Sequence, residues 1–359
     1  MPHALPLLAV AAFLAALASP AAASKLVFTN NSQLIGPGLS AAVGIFDTST
    51  KSVEMVFADG VTGLNNRYSY VSGAAVCGEF YYALYASPAM GAAGVARVAL
   101  NDKKGNISYT ATDGVPHALA CDPTDATHQS LLVMMSQKAA PTAGDNLLTF
   151  VLYRANTFTS SMTKVAAFPS AAVAAYDGFD SIFSFTEDGG ELWANFPDSY
   201  NPLPKGGDLL IMNTKTGAVR GPFNYDYGLF GGNDYTYWTH PPAAAGGGAS
   251  SFVGVTGSEA ESGANSFYFS QLAISGKSVT VTRGADVSDW FWTIGVPVKV
   301  CDGVGFAVRP AQHNPDDDDG SYKTQQFTAF DAATGEVKAQ FNLDAIAPNT
   351  NAAAWACMA

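Results

Sequence analysis

Charge is scarce in this sequence. Only 13% of its 359 residues are charged, and 18 Lys and Arg face 30 Asp and Glu, for a formal net charge of −12. So little charge excludes a long coiled coil, and an apolar and aromatic content of 48% excludes a disordered chain. Basic runs are missing, so nucleic acid is not an expected partner: phosphates are neutralised by clustered Lys and Arg. Beyond the N-terminus no apolar run reaches the roughly 18 residues of a membrane helix, which argues against membrane insertion. Amphipathic helical periodicity is also missing. The sequence has no Gly-x-Ser-x-Gly elbow, Walker loop, His-Glu-x-x-His or Cys-x-x-Cys, so no motif requires a cofactor.

What is present begins with a processing segment. Leu5 to Leu17 is uncharged and rich in Leu and Ala, Ser19 and Pro20 break it, and Ala21 to Ala23 supply the small residues of a cleavage site. Residues 1–23 read as a signal peptide and 24–359 as a single domain of a secreted, extracellular protein. A membrane anchor is the alternative, and the run is short for one. Asn30 and Asn106 each open an Asn-x-Ser glycosylation triplet.

The remainder is organised by a repeat. Six segments share a pattern of apolar strand, polar turn and alternating strand: Ala42–Asp47 with Ser52–Ala58, Ala96–Asn101 with Asn106–Thr112, Leu148–Arg154 with Met162–Phe168, Asp208–Asn213 with Ala218–Phe223, Phe267–Ser275 with Ser278–Arg283, and Thr324–Asp331 with Glu336–Leu343. Val337 to Leu343 shows the alternation, apolar at odd positions and polar at even ones. Equivalent turns start at Asp47, Asn101, Asn156, Asn213, Ser275 and Asp331, about 57 residues apart, enough for four strands and their loops. The stretches before Asp47 and after Asp331 together make one more interval. The expected fold is therefore an all-β, six-bladed β-propeller of four-stranded blades, closed by pairing of its N- and C-terminal strands. A seven-bladed ring is the alternative, needing about 48 residues per blade.

Leu209-Leu210-Ile211-Met212-Asn213-Thr214-Lys215-Thr216-Gly217 and Phe327-Thr328-Ala329-Phe330-Asp331-Ala332-Ala333-Thr334-Gly335-Glu336 resemble the strand-Asp-x-x-Thr-Gly hairpins of the WD40/YVTN-like and quinoprotein-like propeller superfamilies. The resemblance is one of fold. It implies a propeller and no particular activity, since propellers host many functions.

All four cysteines fall in expected innermost strands, in the ring order Cys301, Cys357, Cys77, Cys121. If they are oxidised, that order pairs Cys301 with Cys357 and Cys77 with Cys121. If the Cα atoms lie beyond about 7 Å they are instead small buried residues.

Three sets of residues are candidates for chemistry. Asp316 to Asp319 is a run without the alternate spacing of a calcium loop, and reads as a solvated hairpin loop. Asp59, Asp113, Asp177, Asp226, Asp286 and Asp344 each follow an outer strand. They are turn residues or a carboxylate ring for a divalent cation such as calcium. His117 and His240 are the histidines placed to line the channel. Aromatic residues crowd three successive blade-to-blade connections: Tyr176 and Phe179, then Tyr225, Tyr227, Tyr235 and Trp238, then Trp290 and Trp292. Beside Asp and Asn they suit stacking on an extracellular glycan or protein, or else they fill wedges between blades. The expected function is a secreted binding module using these rings at the channel mouth. The alternative is a metal-assisted hydrolase or lactonase-like enzyme using the axial carboxylates. Whether the protein is an enzyme, and its oligomeric state, stay open.

Overall fold

The computed structural model describes residues 25–30, 42–57, 73–87, 92–101, 108–138, 148–169, 182–186, 188–197, 206–226, 233–239, 251–259, 265–286, 298–301, 304–309, 312–313, 322–323, 326–331, 334–343 and 352–358. The first sheet starts with β1 (Lys25–Asn30), β2 (Ala42–Asp47) and β3 (Ser52–Phe57). The second is β4 (Ala74–Cys77), β5 (Phe80–Ser87), β6 (Ala92–Ala99) and β7 (Ser108–Ala111), and the third β8 (Val115–Cys121), β9 (Ser130–Lys138), β10 (Leu148–Asn156) and β11 (Ser161–Ala167). The fourth is β12 (Ile182–Phe185), β13 (Glu191–Pro197), β14 (Gly206–Asn213) and β15 (Val219–Asp226). The fifth is β16 (Asn233–Thr239), β17 (Ser251–Glu259), β18 (Asn265–Ser275) and β19 (Ser278–Asp286). The sixth begins with β20 (Val298–Cys301) and β21 (Val304–Arg309); a small hairpin of β22 (Gln312–His313) and β23 (Tyr322–Lys323) precedes its β24 (Gln326–Asp331) and β25 (Val337–Asn342). Finally β26 (Ala352–Met358) returns to β1 and completes the first sheet in the order β26-β1-β2-β3.

This is an all-β propeller of four-stranded antiparallel blades. The six expected hairpins are β2–β3, β6–β7, β10–β11, β14–β15, β18–β19 and β24–β25, each forming the outer half of its sheet. The innermost strands follow one another in chain order: β4 adjoins β8, β8 adjoins β12, β12 adjoins β16 and β16 adjoins β20. β26 lies between β20 and β4. Among the described residues there is no seventh four-stranded sheet, which corrects the seven-bladed alternative.

Burial explains the sequence pattern. Middle strands are covered by sheets on both faces, so they read as unbroken apolar runs: Leu131 to Met135 on β9 and Leu209 to Met212 on β14 are almost wholly buried. The outer strand β11 (SMTKVAA) is mostly exposed or half-exposed and mixes polar with apolar residues. The core lies in the seams. Between the first and second sheets Val27 and Val43 meet Tyr81, Ala83 and Val98. Between the third and fourth Leu132, Met134, Phe150 and Leu152 meet Leu192, Leu210 and Met212. Each such large side chain contributes about 1.5–3 kcal/mol of burial.

Four of the outer hairpins share a cap. Asp47 accepts from the backbone N–H groups of Ser49 and Thr50, Asn156 from those of Phe158 and Thr159, Asn213 from those of Lys215 and Thr216, and Asp331 from that of Thr334. A short side-chain acceptor at the end of the third strand satisfies donors the ladder cannot reach, which is why the turn starts were legible.

Both cysteine pairs are bridged. Cys77–Cys121 joins β4 to β8 with a Cα separation of 5.6 Å, and Cys301–Cys357 joins β20 to β26 with 5.7 Å, inside the range a disulfide spans. No cysteine is free.

Candidate functional site

Antiparallel strands place their links alternately on two sides of the molecule. One side carries the capped hairpins and the turns from first to second strand. The other carries the links from second to third strand and from sheet to sheet. Tyr225 is the penultimate residue of β15, while Tyr235 and Trp238, with Tyr237, are on β16, the innermost strand of the next sheet. Tyr176, Phe179, Tyr227, Trp290 and Trp292 are outside the described residues, as are His240, Asn106 and the Asp316–Asp319 run. Asn30 ends β1.

β16 differs from the other innermost strands. Those read AAAWACM, AAVC, VPHALAC, IFSF and VKVC, whereas β16 reads NDYTYWT. Three aromatic residues and an adjoining Asn–Asp pair therefore sit on one axial strand. The only charged residues of the innermost strands are Asp234 on β16 and Lys299 on β20. Lys299 donates from Nζ to the Ala74 carbonyl at 3.3 Å, passing from the sixth sheet to the second in front of the intervening β26. This residue was missed from sequence; the signal was the one lysine of the innermost strands.

The carboxylate set does not assemble where it can be followed. Asp226 and Asp286 are the last residues of β15 and β19, the outermost strands of their sheets, about 14 Å from the innermost ones at ordinary strand spacing. Asp113 is exposed in the short link from β7 to β8. Among the described residues no three His, Cys, Asp or Glu side chains group to hold a metal ion. Asp59, Asp177 and Asp344 are outside those residues.

His117, on β8, occupies the seam between the third and fourth sheets. Its ring packs on Phe183 (centroids 5.3 Å apart) and Phe150 (6.1 Å), and Nε2 is 2.7 Å from Ser136 Oγ. Burial pushes its pKa down to about 4, so the imidazole is neutral at neutral pH. Ser136 is itself 6% exposed. A covered hydroxyl beside a weakly basic imidazole fills a seam; it does not present a nucleophile to a substrate. His128 lies in the turn after β8 with a φ of 56°, and His313 is on β22.

A second device escaped the sequence reading. In the turn from β12 to β13, Asp188 accepts from Thr186 Oγ1 (2.5 Å) and the Gly190 N–H (2.9 Å), while Glu191 N–H donates to Thr186 Oγ1 (3.0 Å). Gly189 adopts a φ of 68°, and a Cβ there would stand 2.5 Å from the Cys121 carbonyl oxygen. The turn is locked against the third sheet, with Trp193 buried behind it.

No protein-family profile matches the chain, and no curated protein matches it. Solved structures do resemble it. The β-propeller domain of the Trilobed protease from Pyrococcus furiosus is 9% identical, covering 76% of this chain and 71% of that one, with a TM-score of 0.39. Prolyl oligopeptidase B from Galerina marginata is 7% identical, covering 92% and 51%, with a TM-score of 0.43. A hypothetical selenium-binding protein from Sulfolobus tokodaii is 8% identical, covering 92% and 76%, with a TM-score of 0.48. The chain spans about half the length of prolyl oligopeptidase B. At these values the likeness is of general fold. Among the described residues no helix is long and apolar enough to cross a membrane.

Proposed function

We propose that the six sheets are the blades of one closed ring, and that the protein is a secreted binding module for a glycan or extracellular protein. The ligand site is the channel mouth on the side of the sheet-to-sheet links, bordered by the third to sixth blades. The observation that carries this reading is β16: an axial strand with Tyr235, Tyr237 and Trp238, Tyr235 toward the end that follows β15 and Trp238 toward the end that leads to β17. Aromatic faces stack on the C–H faces of sugars or on peptide side chains. Asn233 and Asp234, at the start of the same strand, supply polar groups that orient such a ligand. The two disulfides are compatible with an oxidising compartment.

The test is titration of the mature protein against a panel of oligosaccharides and extracellular-matrix proteins, followed by Trp238→Ala and Trp290→Ala. A central stacked ring is worth on the order of 1–3 kcal/mol, so either change weakens binding about 5- to 150-fold while the melting temperature holds. Variants that melt early yet bind an identified ligand as tightly as wild type would show that the rings are wedge packing.

A further inference from the structure

We propose that the Cys301–Cys357 disulfide is a redox latch on the terminal-strand closure, a role Cys77–Cys121 does not share. The inference rests on the closed ring and is independent of what the ring binds.

The first sheet is a composite. Its β26 comes from the end of the chain and pairs with β1 through Lys25↔Met358, Leu26↔Cys357, Val27↔Ala356 and Phe28↔Trp355. Only hydrogen bonds and packing join these two halves; β26 also packs on both β20 and β4, but its covalent tie runs to one side only. β26 is tied covalently to β20 of the sixth sheet through Cys357. β1 is tied to the second sheet by the buried Thr29–Tyr81 hydrogen bond at 2.8 Å. Cys77–Cys121, by contrast, joins two sheets whose strands are each continuous in sequence.

The consequence is a difference in how the closure can open. A terminal strand held only by pairing frays alone, at a cost well below that of global unfolding. With the disulfide intact β26 cannot leave by itself. Separating it from β1 drags the sixth sheet along and opens the core of Phe28, Phe46, Phe306, Phe327 and Trp355. Opening is then as costly as unfolding the ring. Reduction removes that coupling. A dithiol reductant attacks Cys357 Sγ, the less buried sulfur, and Cys301 leaves as thiolate. The second thiol of the reductant then resolves the mixed disulfide, leaving two cysteine thiols and one oxidised reductant for two electrons transferred. β26 is now free to peel, baring the edge of β1.

Hydrogen exchange on the mature protein tests this. In the oxidised protein the β1 and β26 amides should exchange together with the slowest core amides. In Cys301→Ala/Cys357→Ala they should exchange tenfold or more faster than those core amides, on the order of a local opening. Cys77→Ala/Cys121→Ala should leave β1 and β26 coupled to the core. Wild-type protein treated with a dithiol under native conditions gives the same reading should the first variant fail to fold. The latch is overturned if β26 stays coupled to the core without its disulfide, or if removing Cys77–Cys121 loosens it equally.

Discussion

Thr29 and Tyr81, 52 residues apart, share a buried 2.8 Å hydrogen bond across the seam between the first and second sheets. Burial raises the phenol's pKa, with the Thr29 contact opposing it, so the hydroxyl stays protonated throughout the ordinary pH range. Tyr81→Phe strands the Thr29 hydroxyl and is expected to cost about 1–2 kcal/mol in urea unfolding. Thr29→Val added to Tyr81→Phe removes the stranded partner and should recover part of that loss. A double variant weaker than the sum of both singles would contradict the pairing.

The depressed pKa of His117 makes stability depend on pH. The folded value of about 4 lies below the unfolded value of 6.5. The contribution of neutral His117 is therefore complete above pH 6.5 and is lost as pH falls toward 4, where only the unfolded chain takes up the proton. The loss is on the order of 2–3 kcal/mol across that window. His117→Phe, packed among Phe150 and Phe183, should flatten the dependence; denaturant midpoints measured at pH 7, 5.5 and 4 decide it.

Two glycines are covered by rings from the neighbouring strand. A Cβ on Gly305 would lie 2.1 Å from Phe330, its register partner, and one on Gly44 would lie 2.5 Å from Phe28, likewise its partner. Gly305→Ala should destabilise by about 1–3 kcal/mol through overpacking. Gly305→Ala with Phe330→Leu should be more stable than Gly305→Ala alone.

Asp122 is a buried carboxylate held by Arg154 Nε and by the Thr124 N–H (2.9 Å) and hydroxyl (2.7 Å). Burial pushes its pKa up, but these hydrogen bonds outweigh it and hold the value below the usual carboxylate range. Its contribution is present above about pH 3.9 and is lost as pH falls through the lower folded value. Asp122→Asn should cost about 2 kcal/mol at neutral pH and progressively less as pH falls below about 3.9, read from melts across that range.

How much was legible follows from how local each signal is. Asp47, Asn156, Asn213 and Asp331 announced the outer hairpins because each caps N–H groups only two or three residues away. The cysteine pairs followed from ring order, since each bridge joins neighbouring innermost strands. Seam partners were hidden. That His117 meets Phe183, or that Lys299 reaches Ala74, depends on how separate sheets dock, and no spacing within the chain encodes it. The carboxylates were ambiguous in sequence because Asp and Gly also serve where a strand turns back, whatever the axis contains.

The composite first sheet also sets an order of assembly. Synthesis delivers β1 first and β26 last, so the sheet that begins earliest finishes latest. Each of the other sheets pairs from strands a few dozen residues apart and can form as its segment emerges. Leu26, Val27 and Phe28, fully buried in the finished protein, have no inner strand to cover them in the meantime. During translation this chain therefore carries a short hydrophobic edge that β26 covers only once it has been made, and it is at that edge that a chaperone or a neighbouring nascent chain would compete.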